Sequence, residues 1–259
     1  MTTEEVLPPL ESPRRIHFDW LLEALFRPRQ AFDRVVNTSG VWLTPMLILS
    51  LTAVIAALVA GSIRQAAALG GQVNLPPDFQ YYSPEQQAQF QQAMAATSSP
   101  VFLYVFPALV ALSRVWIGWL LVGGLLHLVM TLLGGRGDTG AAMNLVAWAA
   151  LPFALRDIVR IVAMLASQQL IASPGLSGFA PAGESFGSLF LVGLLGSVDI
   201  YLIWYSLLLV LGVRLGNGIS RVKAMSAVFL ILILIFSAQA ALVAFAGQLG
   251  GLTIIRPFF

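Results

Sequence analysis

The chain has 259 residues, but only 14 are Lys or Arg and 12 are Asp or Glu. Apolar residues make up 58% of it and its mean hydropathy is +0.84, whereas soluble domains average about 45–50% apolar and about 25% charged residues. This composition excludes a soluble globular protein and predicts an integral membrane protein; the absence of cysteine and the presence of only two histidines argue against disulfides, thiolate catalysis, a metal site or any other cofactor.

The first forty residues are predicted to form a cytoplasmic segment with one amphipathic helix. Its apolar residues recur at the spacing of a single helix face: Phe18, Leu21, Leu22, Leu25 and Phe26. Pro28 ends or kinks this helix, and several arginines surround it. The pattern favours an interfacial helix along the inner leaflet, with packing of the same face under the bundle as an equal alternative.

Residues 41–259 are predicted to form the transmembrane domain. A spanning helix needs about 20 mostly apolar residues, and five segments meet this requirement: about 41–62, 101–134, 141–170, 188–213 and 224–247. A sixth span would result if the 101–134 region broke in two. The sequence therefore predicts an all-α bundle of five transmembrane helices, preceded by the interfacial helix.

Local signals mark helix starts outside these spans. Ser83-Pro84-Glu85 predicts the start of a short helix on the outer surface, since it offers a cap, a proline in the first turn and an early acid. The glycine-rich segment 134–140 predicts a turn, after which Asp138 or Thr139 caps the third span.

The basic residues between spans predict the orientation. With a cytoplasmic N-terminus, the inner segments hold nine basic residues: Arg14, Arg15, Arg27, Arg29, Arg34, Arg136, Arg214, Arg221 and Lys223. The outer segments then hold only Arg64 and Arg256. Because cytoplasmic loops are enriched in Lys and Arg, we expect the N-terminus inside and the C-terminus outside. The basic residues form no single water-facing cluster, so nucleic acid is not an expected partner.

Five charged residues interrupt the predicted second, third and fourth spans: Arg114, Arg156, Asp157, Arg160 and Asp199. At about 1.5 Å per residue, the three arginines and Asp199 lie about 21–28 Å from the cytoplasmic end, in the outer half of the bilayer. Arg156 and Arg160 share a helix face, from which Asp157 is turned by about 100°. Asp199 is the expected partner of one of these arginines.

This intramembrane polar cluster has two interpretations, because charges in spans usually face the bundle and find partners. The functional interpretation is an ion, anion or lipid-headgroup site that opens outward. The structural interpretation, which the sequence favours, is an ion-pair knot that fixes the packing of three spans. Three arginines against two aspartates leave one positive charge that the knot does not explain.

Two stretches of sequence carry a family resemblance. The first is residues 22–32, Leu-Glu-Ala-Leu-Phe-Arg-Pro-Arg-Gln-Ala-Phe, followed by Trp42-Leu43-Thr44-Pro45. The second runs from Tyr201-Leu202-Ile203-Trp204 through Gly212 to Ser220-Arg221-Val222-Lys223-Ala224. With Pro152 in the third span, these stretches resemble the bacterial form of the Yip family, the Ypt-interacting membrane proteins with five spans.

The resemblance implies a membrane protein and transfers no catalytic residue, because bacterial members have no settled activity. Eukaryotic members are linked to Rab-type GTPases, but their Tyr-Gly-Pro signature is missing here. No Rab-type GTPase partner is therefore expected.

The sequence favours a non-enzymatic scaffold or accessory subunit of a membrane assembly in the plasma membrane. Its expected partners are membrane lipids and other integral membrane proteins. The alternative is a small transporter or a lipid- or anion-binding protein that uses the polar cluster. An enzyme is not expected, because nothing in the sequence pairs a nucleophile with a base.

Overall fold

The computed structural model of the protein describes residues 16–69, 78–135 and 137–252. Throughout these ranges the chain forms helices and connecting segments, with no strand. The prediction of an all-α fold is therefore confirmed for the described residues. Four of the basic residues used to predict the orientation, Arg14, Arg15, Arg136 and Arg256, lie outside them.

Ten α-helices follow one another in this described part, and a π-helical turn, Val101–Val105, leads into the fifth. Their bounds are α1 Leu21–Phe26, α2 Pro28–Asn37, α3 Leu43–Leu69, α4 Pro84–Thr97, α5 Phe106–Leu132, α6 Thr139–Ala149, α7 Leu151–Ser167, α8 Phe186–Gly196, α9 Ile200–Asn217 and α10 Arg221–Leu252. The expected caps are present: the Ser83 hydroxyl accepts from the Gln86 N–H at the start of α4, and Asp138 caps α6.

Three of these helical segments are each long and apolar enough to cross a membrane: Leu43–Leu69, Val101–Leu132 and Arg221–Gln248. They correspond to the predicted first, second and fifth spans. The first continues to Leu69, beyond its expected end near residue 62. The second is one helical stretch without a break, so the structure does not favour the six-span alternative.

Two helices replace the single helix predicted for residues 141–170. α6 ends at Ala149 and α7 begins at Leu151, and neither meets the length and hydropathy of a span. Pro152 explains the break, because proline lacks an N–H and its ring clashes with the preceding turn, whereas the first turn of a new helix accepts it. α7 also carries the three charges of this region.

The predicted fourth span, residues 188–213, is a bent pair. α8 and α9 meet at 64° and qualify as a span only when they are taken together. At the bend, the Asp199 backbone is extended, and its Oδ1 accepts a hydrogen bond from the Leu202 N–H at 2.8 Å. Asp199 therefore caps the start of α9 instead of interrupting a continuous helix. Counting this pair, the described residues provide four candidate spans.

The loop between α7 and α8 folds back onto this bend. The Leu176 N–H donates to the carbonyl oxygens of Leu195 and Val198, at 3.0 and 3.1 Å. Gly175 makes the approach possible, since it adopts φ +58° and a Cβ there would lie only 2.7–2.9 Å from three carbonyl oxygens of the bend. The loop thus supplies a further donor to carbonyl groups at the C-terminal end of α8 and at the bend.

The two N-terminal helices differ in what their apolar faces contact. On α2, the side chains of Ala31, Phe32 and Val35 are fully buried in the core. On the α1 segment, which comprises α1 and the turn before it from Phe18, the side chains of Phe18 and Phe26 remain exposed. Packing under the bundle, the alternative left open by the sequence, therefore describes α2 and one side of α1, where Ala24 is buried and Leu21 and Leu25 contact the core. The other side of the α1 segment is an exposed apolar face.

The main core lies at the end of the bundle where α2 packs against α6 and α9. Trp148 of α6 is fully buried there, and its indole Nε1 donates to the Val41 carbonyl at 3.0 Å. At Gly212 of α9, a Cβ would lie 2.6 Å from the Phe32 ring and 2.8 Å from Leu145. Val122 and Val146 of this core also line a cavity that extends from here toward the other end of the helices.

Candidate functional site

One face of α7 carries most of the predicted polar cluster. Phe153, Arg156, Asp157 and Arg160 recur at the three- and four-residue spacing of a helix face, and all four line the same cavity. The sequence predicted that Asp157 points away from the face of Arg156 and Arg160. In the structure its Oδ1 instead lies 3.7 Å from the Arg156 Nε. The Arg156 guanidinium also lies over the Phe153 ring, at 4.6 Å from its centroid.

Arg156 is the arginine that pairs with Asp199. Its Nη1 lies 3.5 Å from the Asp199 Oδ2, and the two side chains are only 16% and 13% exposed. This ion pair ties α7 to the bend between α8 and α9. Asp199 thus uses one carboxylate oxygen to cap α9 and the other to face Arg156.

A cavity of about 520 Å³ lies between α3, α5, α7 and α10. Its volume falls within the range of about 300–1,000 Å³ that is typical of small-molecule sites. Small residues leave this space open, since the middle of the α3 wall consists of alanines and a Cβ on Gly118 of α5 would meet nothing within 4 Å. The α3 alanines are Ala53, Ala56, Ala57 and Ala60.

Four arginines line the cavity: Arg64, Arg114, Arg156 and Arg160. Of these four, only Arg156 has a carboxylate of the described residues within 4 Å of its guanidinium. Arg64 and Arg114 are exposed, and Arg160 is half-buried. With Asp157 and Asp199 as the carboxylates of this region, the four arginines leave an excess of two positive charges.

The charged side chains of the cavity lie toward one of its ends, where Pro107, Val110 and Ala111 of α5 also line it. Arg64 follows the alanines of α3 along the helix, and Arg160 follows Phe153 along α7. The opposite end is lined by apolar residues that are nearly inaccessible: Met46, Leu49, Val122 and Val146. The site is therefore amphipathic, with a basic end, an apolar end and an excess of positive charge.

The sequence did not indicate Arg64 as part of this site. It was counted among the outer loop residues because the first span was expected to end near residue 62, whereas α3 continues to Leu69. The face spacing of Ala53, Ala57, Ala60 and Arg64 was the available signal, since these positions align on one side of a helix.

The cavity offers little to a catalytic reaction. No histidine lines it, and its serine, Ser197, donates its hydroxyl to the Gly193 carbonyl at 3.2 Å. Across the described ranges, no three His, Asp or Glu residues are grouped as a metal site would require. The arrangement provides cationic donors and apolar walls.

Comparison with known families identifies one match. The model of the Yip1 domain matches residues 22–243, which include the helices that border the cavity and most of α10. Neither the curated proteins nor the solved structures provide a significant match. The resemblance read from residues 22–32 and 201–224 is thereby confirmed as a family relationship.

Proposed function

The chain belongs to the Yip family of membrane proteins, and from this premise we propose that it binds an anionic amphiphile in the arginine-lined cavity. The observation that carries the proposal is the separation of charge within the cavity. Three arginines without carboxylate partners lie at or near its basic end, and apolar side chains close the other end. Intramembrane cations generally mark sites of function, and an amphiphile matches both ends at once.

The proposed setting is the plasma membrane of a bacterium, with five spans, the N-terminus inside and the C-terminus outside. α6 with α7, and α8 with α9, then form the third and fourth spans as broken helices. Basic residues of the described chain support the orientation, because Arg29, Arg34, Arg214 and Lys223 lie together at the end where α3 and α10 begin and α9 ends. The missing Tyr-Gly-Pro signature supports the bacterial type.

In this orientation, the amphiphile lies as a lipid of the outer leaflet does. The basic end of the cavity faces outward, and the apolar end lies in the inner half of the bilayer, near the start of α3. The headgroup therefore contacts the arginines, and the hydrocarbon chain lies along the alanines of α3. We infer a binding role without catalysis, since the one serine of the cavity is occupied by a main-chain hydrogen bond.

Topology is tested by single-cysteine labelling, for which the natural chain is already free of cysteine. Ser173→Cys, in the loop before α8, should react with an impermeant maleimide in intact cells. Lys223→Cys, at the start of α10, should react only after permeabilisation. The reverse pattern would contradict the proposed orientation, and labelling of both sites in intact cells would contradict an odd number of spans between them.

Ligand binding is tested by native mass spectrometry of the protein released from mild detergent. We expect retained anionic phospholipid in preference to phosphatidylcholine, and about tenfold weaker retention in Arg114→Gln, since each charged contact contributes about 1.5–3 kcal/mol. Arg221→Gln is the control, because Arg221 is exposed and remote from the cavity. Equal retention of anionic and zwitterionic lipids would refute the proposal.

Access of the hydrocarbon chain is tested separately. Ala57→Phe fills the apolar wall and should displace lipids, whereas Leu58→Phe, on the exposed side of α3, should not. If Ala57→Phe retains the same lipids, the hydrocarbon chain does not occupy the cavity.

A second candidate is the scaffold or accessory-subunit role, with other integral membrane proteins as partners. Its support is an exposed face of α5 on which Ile117, Leu121 and Leu128 surround Gly124. A Cβ on Gly124 meets nothing within 4 Å, and a small residue in an apolar face lets another helix approach closely. Gly124→Leu should then abolish recovery of a partner in fixed stoichiometry, and unchanged recovery would exclude this face.

A further inference from the structure

The charges of the cavity indicate which class of anionic headgroup fits it best, given that the proposed function holds. The charged groups around it are Arg64 from α3, Arg114 from α5, Arg156, Asp157 and Arg160 from α7, and Asp199 at the start of α9. The excess is two positive charges. In a membrane interior, an unneutralised charge is unfavourable, so a headgroup with two negative charges is the better match.

The free donors of the site lead to the same class of headgroup. Arg156 is held by Asp199, by Asp157 and by the Phe153 ring. Arg64, Arg114 and Arg160 come from three different helices and have no carboxylate within 4 Å among the described residues. Three free guanidinium groups match three terminal phosphate oxygens, and arginine recognises phosphate through paired N–H donors.

A phosphomonoester has both properties, because it carries about −1.5 to −2 charges at pH 7 and presents three acceptor oxygens. A phosphodiester lipid has one negative charge and two free oxygens. We propose that the cavity selects an amphiphile with a terminal phosphate monoester over a phosphodiester lipid. Arg64, Arg114 and Arg160 bind the phosphate oxygens, and Arg156 is a fixed positive charge beneath them.

The test compares three lipids and one soluble anion on the detergent-purified full chain. The lipids are dioleoyl phosphatidic acid, phosphatidylglycerol and phosphatidylcholine, and the soluble anion is inorganic phosphate. We expect phosphatidic acid to bind about tenfold more tightly than phosphatidylglycerol, as one further charge-assisted hydrogen bond implies. Phosphatidylcholine should not compete, and inorganic phosphate should compete only weakly because it has no hydrocarbon chain.

The pH dependence provides an independent readout. The second ionisation of a phosphomonoester has a pKa of about 6, whereas arginine keeps its charge throughout. Lowering the pH from about 7.5 to about 5 should therefore weaken phosphatidic acid binding. Phosphatidylglycerol serves as the control, because any titration of Asp157 or Asp199 affects both lipids.

Variants assign the selectivity to the arginines. In Arg160→Gln, the affinity for phosphatidic acid should fall to the affinity for phosphatidylglycerol. Arg221→Gln should leave the preference for phosphatidic acid unchanged. If Arg160→Gln fails to fold, Arg160→Lys is the substitute variant, because it keeps the positive charge. It should lose part of the preference for phosphatidic acid, because lysine lacks the paired donors.

The possible results separate this inference from the proposed function. Equal binding and equal pH response of phosphatidic acid and phosphatidylglycerol, both above phosphatidylcholine, would overturn the selectivity and leave the anionic amphiphile in place. The absence of any preference over phosphatidylcholine would overturn both. Binding of inorganic phosphate as tight as that of phosphatidic acid would show a site for a free anion and would also overturn both.

Discussion

Asp199 has two structural roles that two substitutions can separate. Its Oδ1 caps α9, and its Oδ2 lies 3.5 Å from Arg156. Asparagine is also a good cap and keeps an oxygen for the Leu202 N–H, but it removes the charge. Alanine removes both interactions. Comparison of Asp199→Asn with Asp199→Ala therefore gives the contribution of the ion pair and of the cap to the free energy of unfolding.

The magnitudes follow from the geometry of the pair. Loss of one partner from a fully buried ion pair costs about 3–5 kcal/mol. The Arg156–Asp199 pair should contribute less, about 2 kcal/mol, because its side chains keep some exposure and Arg156 retains Asp157. Loss of a helix cap costs about 1 kcal/mol. We expect Asp199→Asn to cost about 2 kcal/mol and Asp199→Ala about 3 kcal/mol.

The assay is reversible unfolding of the detergent-solubilised protein, followed by circular dichroism. The double variant Arg156→Gln with Asp199→Asn should cost less than the sum of the two single variants. Asp138 provides the matched control, because it caps α6 through Oδ1, is exposed, and has no arginine within 4 Å among the described residues. Asp138→Asn should therefore leave the unfolding free energy almost unchanged, and Asp138→Ala should lose only the cap.

An Asp199→Asn variant as stable as the natural protein would refute the energetic contribution of the Arg156–Asp199 ion pair. In that case the carboxylate would act only as a cap, and the link between α7 and the α8–α9 bend would have no energetic role. Additive single-variant costs in the double variant would lead to the same conclusion.

Three further substitutions test close contacts, each by the same unfolding measurement. Gly175→Ala should destabilise the protein by at least about 1–2 kcal/mol, because the left-handed conformation alone costs this much and the new Cβ also meets carbonyl oxygens of the bend. Gly187→Ala is the control and should not destabilise, since the space around Gly187 is open. Equal effects of the two substitutions would refute the loop contact. Gly212→Ala should cost about 1–3 kcal/mol by overpacking against α2 and α6, whereas Gly124→Ala should be neutral or slightly stabilising. Trp148→Phe should cost about 1–3 kcal/mol, because a buried carbonyl loses its donor, and an unchanged stability would show that this hydrogen bond is dispensable.

The features that the sequence predicted are those with a local cause. Long runs without charged residues predicted the positions of α3, of α5 after Arg114 and of α10. Ser83 and Asp138 indicated helix starts through side chains that reach a main-chain N–H three residues away. Such signals depend only on neighbouring residues in the chain, so they can be recognised without knowledge of how the helices pack.

The features that the sequence did not predict depend on residues far apart in the chain. Asp199 was interpreted as a charge within a continuous helix, because the apolar run on both sides of it gives no sign of a bend. The site also includes Arg64, which shares a helix face with the α3 alanines, but the packing of α3 beside α5 and α7 decides which residues that face meets. Hydropathy describes which residues leave water, but it does not describe which helix faces meet or where small residues leave a cavity between them.

The folded-back loop before α8 has a consequence for how sequences of this kind can change in length. Surface loops usually tolerate insertions and deletions, because few contacts depend on their length. Here the segment around Leu176 satisfies carbonyl groups at the α8–α9 bend, so an added residue between Gly175 and Leu176 would misplace the donor. Length variation should therefore concentrate after Phe179, where the chain leaves the bend. The six residues from Pro174 to that point, apart from Gly175, should vary in composition before they vary in number.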